Sequence, residues 1–279
     1  MAHIRVLTDS ACDLPGEIAR DLDIDIVSLT IRFGDEEFTD RVDLTPSEFW
    51  AKCKKSKTLP ETAAPSPGAF QHAYERAQSE GFDGVIVLTI SAALSATNQS
   101  AQLAATTVAD VLPVRVIDTK AVSMAQGLLV MEIAELARTG ATLDELVERA
   151  ESLREKVGVV GMLDTLEHLV KGGRIGGARA LLGQVLAIKP LLVLKDGVVA
   201  EAGRQRTRAK ALQAIVDVAT SHVPLRRLAL VHGDASDIKT AQDLVANIPT
   251  EFDVVVTDMG PVVGTHGGPG IIALCWIEA

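Results

Sequence analysis

The sequence predicts an α/β fold: a mostly parallel sheet flanked by helices over residues 1–156, then an α+β half over residues 157–279. Three observations carry this. In the first half, short β-branched runs alternate with segments whose apolar residues recur at helical spacing, the pattern of a parallel sheet covered by helices. In the second half two such runs are separated only by Asp196-Gly197, a hairpin turn that forces antiparallel pairing. The chain of 279 residues is also long enough for two lobes, since single cores rarely grow beyond about 250 to 300 residues.

Strands are expected at 4–8, 24–31, 84–90 and 113–118, and helices at 15–21, 46–54, 67–80, 95–111, 122–138 and 142–156. Three of these helices open on a proline (Pro15, Pro46, Pro67), tolerated in the first turn because that N–H has no helical partner. Thr142 followed by Glu145 forms a capping box, and the charge-rich helix it opens suits a connection running over the surface between the halves. Second-half strands are expected at 157–162, 189–195, 198–201, 227–231, 252–257 and 271–277, with helices at 207–221 and 236–246. Neither half contains an internal repeat or low-complexity tract.

Composition excludes several functions. A net charge of -10 without a long basic run argues against nucleic acid, whose phosphates bind through Lys and Arg. Cys12, Cys53 and Cys275 are odd in number and lack metal-ligand spacing, so neither a disulfide scaffold nor a zinc site is expected. The first residues run straight into a strand pattern without a secretion signal, which points to the cytoplasm. The longest apolar stretch, 180–194, is interrupted by Gln184, Lys189 and Pro190 and falls short of the roughly 20 residues of a membrane span, so no membrane insertion is expected. Hydrophobic residues make up 47% of the chain and aromatics only 3%, so a cavity walled by Ala, Val, Leu and Ile would suit an aliphatic ligand better than a planar one.

Candidate site residues cluster at strand ends. The stretch Gly264-Thr265-His266-Gly267-Gly268-Pro269-Gly270 reads as a loop that is either a turn with an incidental histidine or a ligand wall with one titratable group. At 8–15, Asp9 and Ser10 either contact a ligand at the sheet's carboxyl edge or satisfy loop amides, with Asp13 a competent helix cap. At 90–101, Ser95 can cap the helix that follows, whose free amides favour an anion; Ser91 lacks the Gly-x-Ser-x-Gly setting of a hydrolase nucleophile. Three prolines, Pro60, Pro65 and Pro67, stiffen the loop that holds Thr62 extended. The glycine pairs around Arg174 allow a sharp turn from which its guanidinium reaches an anion or carboxylate, while their spacing fits no nucleotide-binding loop. The Arg204, Arg206 and Arg208 cluster demands a narrower explanation than nucleic acid. No cofactor or metal site is expected.

Taken in order, Thr-Asp-Ser-Ala-Cys-Asp-Leu-Pro at 8–15, the Pro-x-Thr loop at Thr62, Ile-Ser-x-x-Leu-Ser-x-Thr at 90–97, Lys-Gly-Gly-Arg-Ile at 171–175 and Gly-Thr-His-x-Gly-Pro-Gly at 264–270 resemble the DegV family nearly end to end. The resemblance implies a two-domain protein, 1–156 and 157–279, holding one long-chain fatty acid in an internal tunnel between or within the domains. It is similar to the fatty-acid-binding subunits of bacterial fatty acid kinase, non-catalytic proteins that present the carboxylate to a separate ATP-dependent kinase subunit for phosphorylation to acyl phosphate. Carried over residue by residue, the resemblance assigns the carboxylate to Thr62, Ser95 and His266, with Ser91 at the same rim and Arg174 and Arg204 near the site or at the kinase-facing edge. Two departures stand beside the site: Thr62-Ala63-Ala64-Pro65 where the family often has Thr-Ser-Gln-Pro, and Ala96 where it often has glycine. The rival readings are a stand-alone serine hydrolase using Ser95 or Ser91 with His266 and Asp9, and a lipid-sensing regulator.

Overall fold

A computed structural model describes residues 1–181 and 188–279. Residues 182–187, including Gln184 of the apolar stretch, lie outside the described residues. The elements run β1 (Ile4–Asp9), α1 (Gly16–Asp21), β2 (Ile24–Val27), β3 (Thr30–Phe33), β4 (Glu36–Thr39), α2 (Pro46–Lys55), β5 (Glu61–Ala63), α3 (Pro67–Ser79), β6 (Gly84–Thr89), α4 (Thr97–Val108), β7 (Val114–Asp118), α5 (Met124–Ala137) and α6 (Leu143–Arg154). They continue through β8 (Val157–Met162), α7 (Glu167–Lys171), β9 (Lys189–Lys195), β10 (Val198–Gln205), α8 (Arg208–Thr220), β11 (Leu225–His232), α9 (Ile238–Val245), β12 (Val255–Asp258), α10 (Pro261–Gly267) and β13 (Ile272–Glu278).

Three sheets result. The first, ordered β2-β1-β6-β7, is parallel throughout. A small antiparallel sheet is ordered β4-β3-β5. The third, β10-β9-β8-β13-β11-β12, is antiparallel except for the β11–β12 pair. Asp196 and Gly197, at φ of 50° and 78°, make the expected β9–β10 hairpin turn; both positive values suit the tight turn that matches strand twist.

Alternation sorts the side chains into layers. Leu7, Val85 and Val87 face α3 and α4, while Val6, Ile86 and Leu88 on the same strands face α5. On the third sheet, Val160, Met162 and Leu274 face α8 and α9, whereas Val159, Ala273 and Cys275 face back toward α5. Helix α5 is therefore covered on both sides, and Met124 through Ala134 are all buried. One continuous core crosses residue 156 through this helix. Its buried Gln126 is held by donating to Thr8 Oγ1 at 2.9 Å and Asp9 Oδ2 at 3.1 Å. Among the described residues no helix is long and apolar enough to cross a membrane.

Several expectations are corrected. The run 24–31 is two strands in different sheets: Leu29 N donates to Ser10 Oγ and Asp40 N donates to Leu29 O, which turns the chain out of the parallel sheet. β4 and β5, short and polar, were not anticipated; their stability comes from pairing with β3 over the buried Ile31, Phe33, Phe49 and Trp50. Asp13 does not cap α1, which starts after Pro15; it is fully buried at φ 54°. The capping box of Thr142 and Glu145 forms as expected, and the helix it opens buries Leu146, Ala150 and Leu153 rather than lying only on the surface.

Candidate functional site

An apolar cavity of about 220 Å³ lies between the third sheet and the first-half elements. It exceeds the ~150 Å³ apolar void that suffices to hold benzene. Val159 and Gly161 of β8, Leu192 and Leu194 of β9 and Ala273 of β13 wall it on one side; Leu29, Ile90 and Val122 wall it on the other. Apart from His266 no aromatic ring lines it among the described residues, in keeping with the aliphatic interior read from composition. Its polar lining includes Thr62, Ser95, Arg174 and His266. Thr62, Arg174 and His266 also line an adjoining cleft of about 630 Å³ with Lys57, His168 and Lys171, so these three stand where the cavity meets the cleft.

His266 sits in the last turn of α10, not in a loop. Pro261 opens this helix, and its glycines answer to close packing: a Cβ on Gly264 would lie 2.8 Å from the Trp50 ring, and one on Gly267 would lie 2.6 Å from Ile271. Only Gly268 and Gly270, at φ of 76° and 82°, use the left-handed region, where the helix ends. The helix start is fixed by Asp13, whose Oδ1 accepts from Gly260 N at 2.8 Å and whose Oδ2 accepts from Ser123 Oγ at 2.6 Å. Arg41 Nη2 donates to the same carboxylate at 3.2 Å.

The strand β5 holds Thr62 opposite Ile31, and its Oγ1 lies 2.9 Å from His266 Nε2, joining residues 204 positions apart. His266 Nδ1 is buried without a partner. It owes its space to Gly172, since a Cβ there would lie 2.2 Å from Nδ1. A buried N–H without an acceptor costs more than an idle lone pair, so the favoured tautomer carries its proton on Nε2 and donates to Thr62. The Thr62 hydroxyl hydrogen is then free for a ligand. Burial, and after it the positive charges of Arg174 and His168, lower the imidazole pKa from 6.5 to about 4, keeping it neutral near pH 7.

Arg174 occupies the turn between α7 and a 3-10 turn at Gly176–Leu181, with Gly173 and Gly176 at φ of 71° and 49°. Its Nε donates to Leu94 O at 3.2 Å and its Nη1 to Gly172 O at 2.7 Å. No carboxylate among the described residues pairs with it. Ser95 is half-buried; its Oγ lies 2.8 Å from Thr97 Oγ1 and accepts from Thr97 N at 3.3 Å. Helix α4 nevertheless starts at Thr97, two residues later than expected, with Ala96 rather than Ser95 at its N-cap position.

Other expected positions fall elsewhere. Ser91 does not join this rim: it is fully buried, and its Oγ donates to Gly197 O at 2.8 Å, clamping the β9–β10 turn. Arg204 is exposed on β10 outside cavity and cleft, and Arg208 is taken by Asp237 and Asp164, so the arginine cluster shares no anion site. Asp9 satisfies loop amides, accepting from Ala11 N at 3.0 Å and Ile90 N at 2.7 Å. The hydrolase constellation is not assembled, because Asp9 does not touch His266 and Ser91 and Ser95 bond elsewhere. Two residues escaped the sequence reading: Gly172, flagged only as a turn, and His168, whose Nδ1 meets Thr265 O at 3.1 Å through a contact no local pattern signals.

A family model described as DegV family matches residues 3–279. A DegV domain-containing protein of Streptomyces coelicolor is 34% identical over 277 residues, covering 98% of this chain and 97% of the relative. Among solved structures, a DegV family protein from Thermus thermophilus described by its fatty acid binding superposes with a TM-score of 0.91 at 34% identity, covering 99% of this chain and 100% of that one. A stearic acid-binding protein from Eubacterium ventriosum superposes with a TM-score of 0.87 at 26% identity, covering 100% of this chain and 98% of that one. The likeness extends over both halves and includes the sheet that walls the cavity, so this chain belongs to the DegV family.

Proposed function

We propose that this protein carries one long-chain fatty acid, with the acyl chain in the cavity and the carboxylate at Thr62, His266, Ser95 and Arg174. The observation that carries this is the meeting of an aliphatic cavity with a cation that has no counter-charge and a neutral hydroxyl–imidazole pair. The fatty acids held by the Thermus and Eubacterium relatives support the same occupant. Burying roughly fourteen methylenes at about 0.8 kcal/mol each gives on the order of 11 kcal/mol before ordering costs. The head group requires donors to replace its hydration, each charged hydrogen bond returning about 1.5 to 3 kcal/mol.

In this reading residues 1–156 and 157–279 act as two domains meeting at the cavity. The bound carboxylate faces the Lys57 and Lys171 cleft, from which an ATP-dependent kinase partner would reach an oxygen for phosphoryl transfer. The protein itself supplies positioning rather than chemistry. The test is mass spectrometry of the protein as purified, intact and after solvent extraction. One non-covalent fatty acid per chain is expected, lost in the His266→Ala and Thr62→Ala variants. A serine ester, or a protein that neither carries nor takes up fatty acid, would overturn the reading.

A further inference from the structure

Behind the cavity lies a second, polar pocket of about 170 Å³ that the fatty-acid reading leaves unused. Val159 and Leu194 line both spaces, whereas none of its lining residues belongs to the cleft at the carboxylate end. Cleft, cavity and polar pocket therefore form a series, and the polar pocket adjoins the cavity away from the head group. Lys120, Arg154, Glu155 and Asp196 line it, drawn from the β7–α5 loop, the end of α6 and the β9–β10 turn. Its walls are rigidly held. Lys120 sits at φ 52° with its amide donating to Asp118 Oδ1 at 2.9 Å, and the Gly197 carbonyl is tied to Ser91.

The donors of this pocket are largely idle. Arg154 uses only Nη1, donating to Asp118 O at 3.2 Å; its Nε is buried without a hydrogen-bond partner, 3.7 Å from the exposed Glu155. The Lys120 ammonium and the Asp196 carboxylate have no partner among the described residues. Two cations face two anions, so a second carboxylate would gain little, while a neutral group able both to donate and to accept would find both partners. We propose that this pocket is a subsite for a hydroxyl group at the far end of the acyl chain, so that the protein accepts ω-hydroxy fatty acids as well as unsubstituted ones. This rests on the fatty-acid reading above.

The test is competitive binding, measured by native mass spectrometry, of myristate, palmitate and stearate against their ω-hydroxy counterparts. If the far end of the cavity were wholly apolar, an unpaired hydroxyl would weaken binding by about ten- to a hundredfold at every length. Here at least one ω-hydroxy acid is expected to bind within about threefold of its parent, the resolution a single well-made hydrogen bond allows. Arg154→Met and, because Arg154 also supports Asp118, separately Lys120→Met should each weaken that hydroxylated ligand about tenfold while leaving the unsubstituted acid unchanged. Rejection of every ω-hydroxy acid by a protein that binds the parents overturns the subsite alone, as does equal loss of both ligands in the two variants. Failure to bind even the unsubstituted acids overturns the carrier reading instead.

Discussion

His266 supplies the sharpest test of the site's electrostatics. In the unfolded chain it titrates near 6.5, whereas in the folded, ligand-free protein burial and the neighbouring Arg174 and His168 hold it down to about 4. Between those values the unfolded chain binds a proton that the folded chain refuses, so the imidazole contributes a stability that is complete above 6.5 and lost as pH falls toward 4. The span corresponds to roughly 3 kcal/mol at 1.36 kcal/mol per pH unit. The wild-type profile alone is uninformative, because burial raises Asp9 to about 6 and Asp40 to about 7. These carboxyls keep their protons to higher pH when folded, so their contributions increase as pH falls, opposite in sign. The difference between wild type and His266→Gln isolates the imidazole, since neither carboxylate touches it and distant sites add. Urea unfolding of delipidated protein at neutral pH and near pH ~4 should show the wild type losing roughly 3 kcal/mol relative to the variant. Saturating fatty acid should shrink that loss, because a carboxylate beside the imidazole favours its protonated form. A wild-type-minus-variant difference that is flat with pH refutes the buried neutral histidine; one that ignores fatty acid refutes the placement of the carboxylate.

Two further predictions follow from the close packing around α10. Gly172→Ala should lower lipid retention and the melting temperature together, because its Cβ would occupy space 2.2 Å from His266 Nδ1; thermal melts with lipid extraction check this, and unchanged retention would separate Gly172 from the site. Asp13→Ala should destabilise by about 3 to 5 kcal/mol in urea unfolding, since it leaves the part-buried Arg41 without the carboxylate it bonds and strips acceptors from Gly260 N and Ser123. A cost below about 1 kcal/mol would mean that the carboxylate is not held as an ion.

The elements legible in the sequence are those whose stability is local. Strands β6 and β8 carry nearly continuous apolar runs, and α6 announces its own capping box, so composition and spacing suffice. α10 is different: Gly264, Gly267 and Gly268 read as a loop because glycine disfavours helices in isolation, and what overrides that cost is Trp50 and Phe49 packing where no side chain fits. β5 has three residues and no apolar period; it exists because β3 offers an edge. The same distinction runs through the candidate site. Thr62, Ser95, His266 and Arg174 stand in motifs whose order was recognisable, and the fold brings them to one cavity. Ser91, four positions before Ser95, has the same residue type and the same junction, yet faces the β9–β10 turn; a one-dimensional pattern contains no information about which serine the third sheet covers.

The charge state of His266 also limits how the site can hold its ligand. Were the imidazole protonated, the head-group region would carry two adjacent part-buried cations, His266 and Arg174, and would hold a carboxylate through partly desolvated ion pairs whose removal is costly. Kept neutral, His266 donates its single hydrogen bond through Nε2 to Thr62, which turns its own hydroxyl hydrogen to the ligand, and the positive charge rests on Arg174 alone. Arg174 in turn is anchored by carbonyls, Leu94 O and Gly172 O, rather than by a carboxylate, so no internal anion competes with the ligand for it. One cation and the neutral Thr62 hydroxyl meet one carboxylate without excess charge. Retention then depends chiefly on the acyl chain in the cavity, while the head group stays replaceable at the cleft. That division suits a protein that must keep a lipid from water yet yield its carboxylate to another molecule.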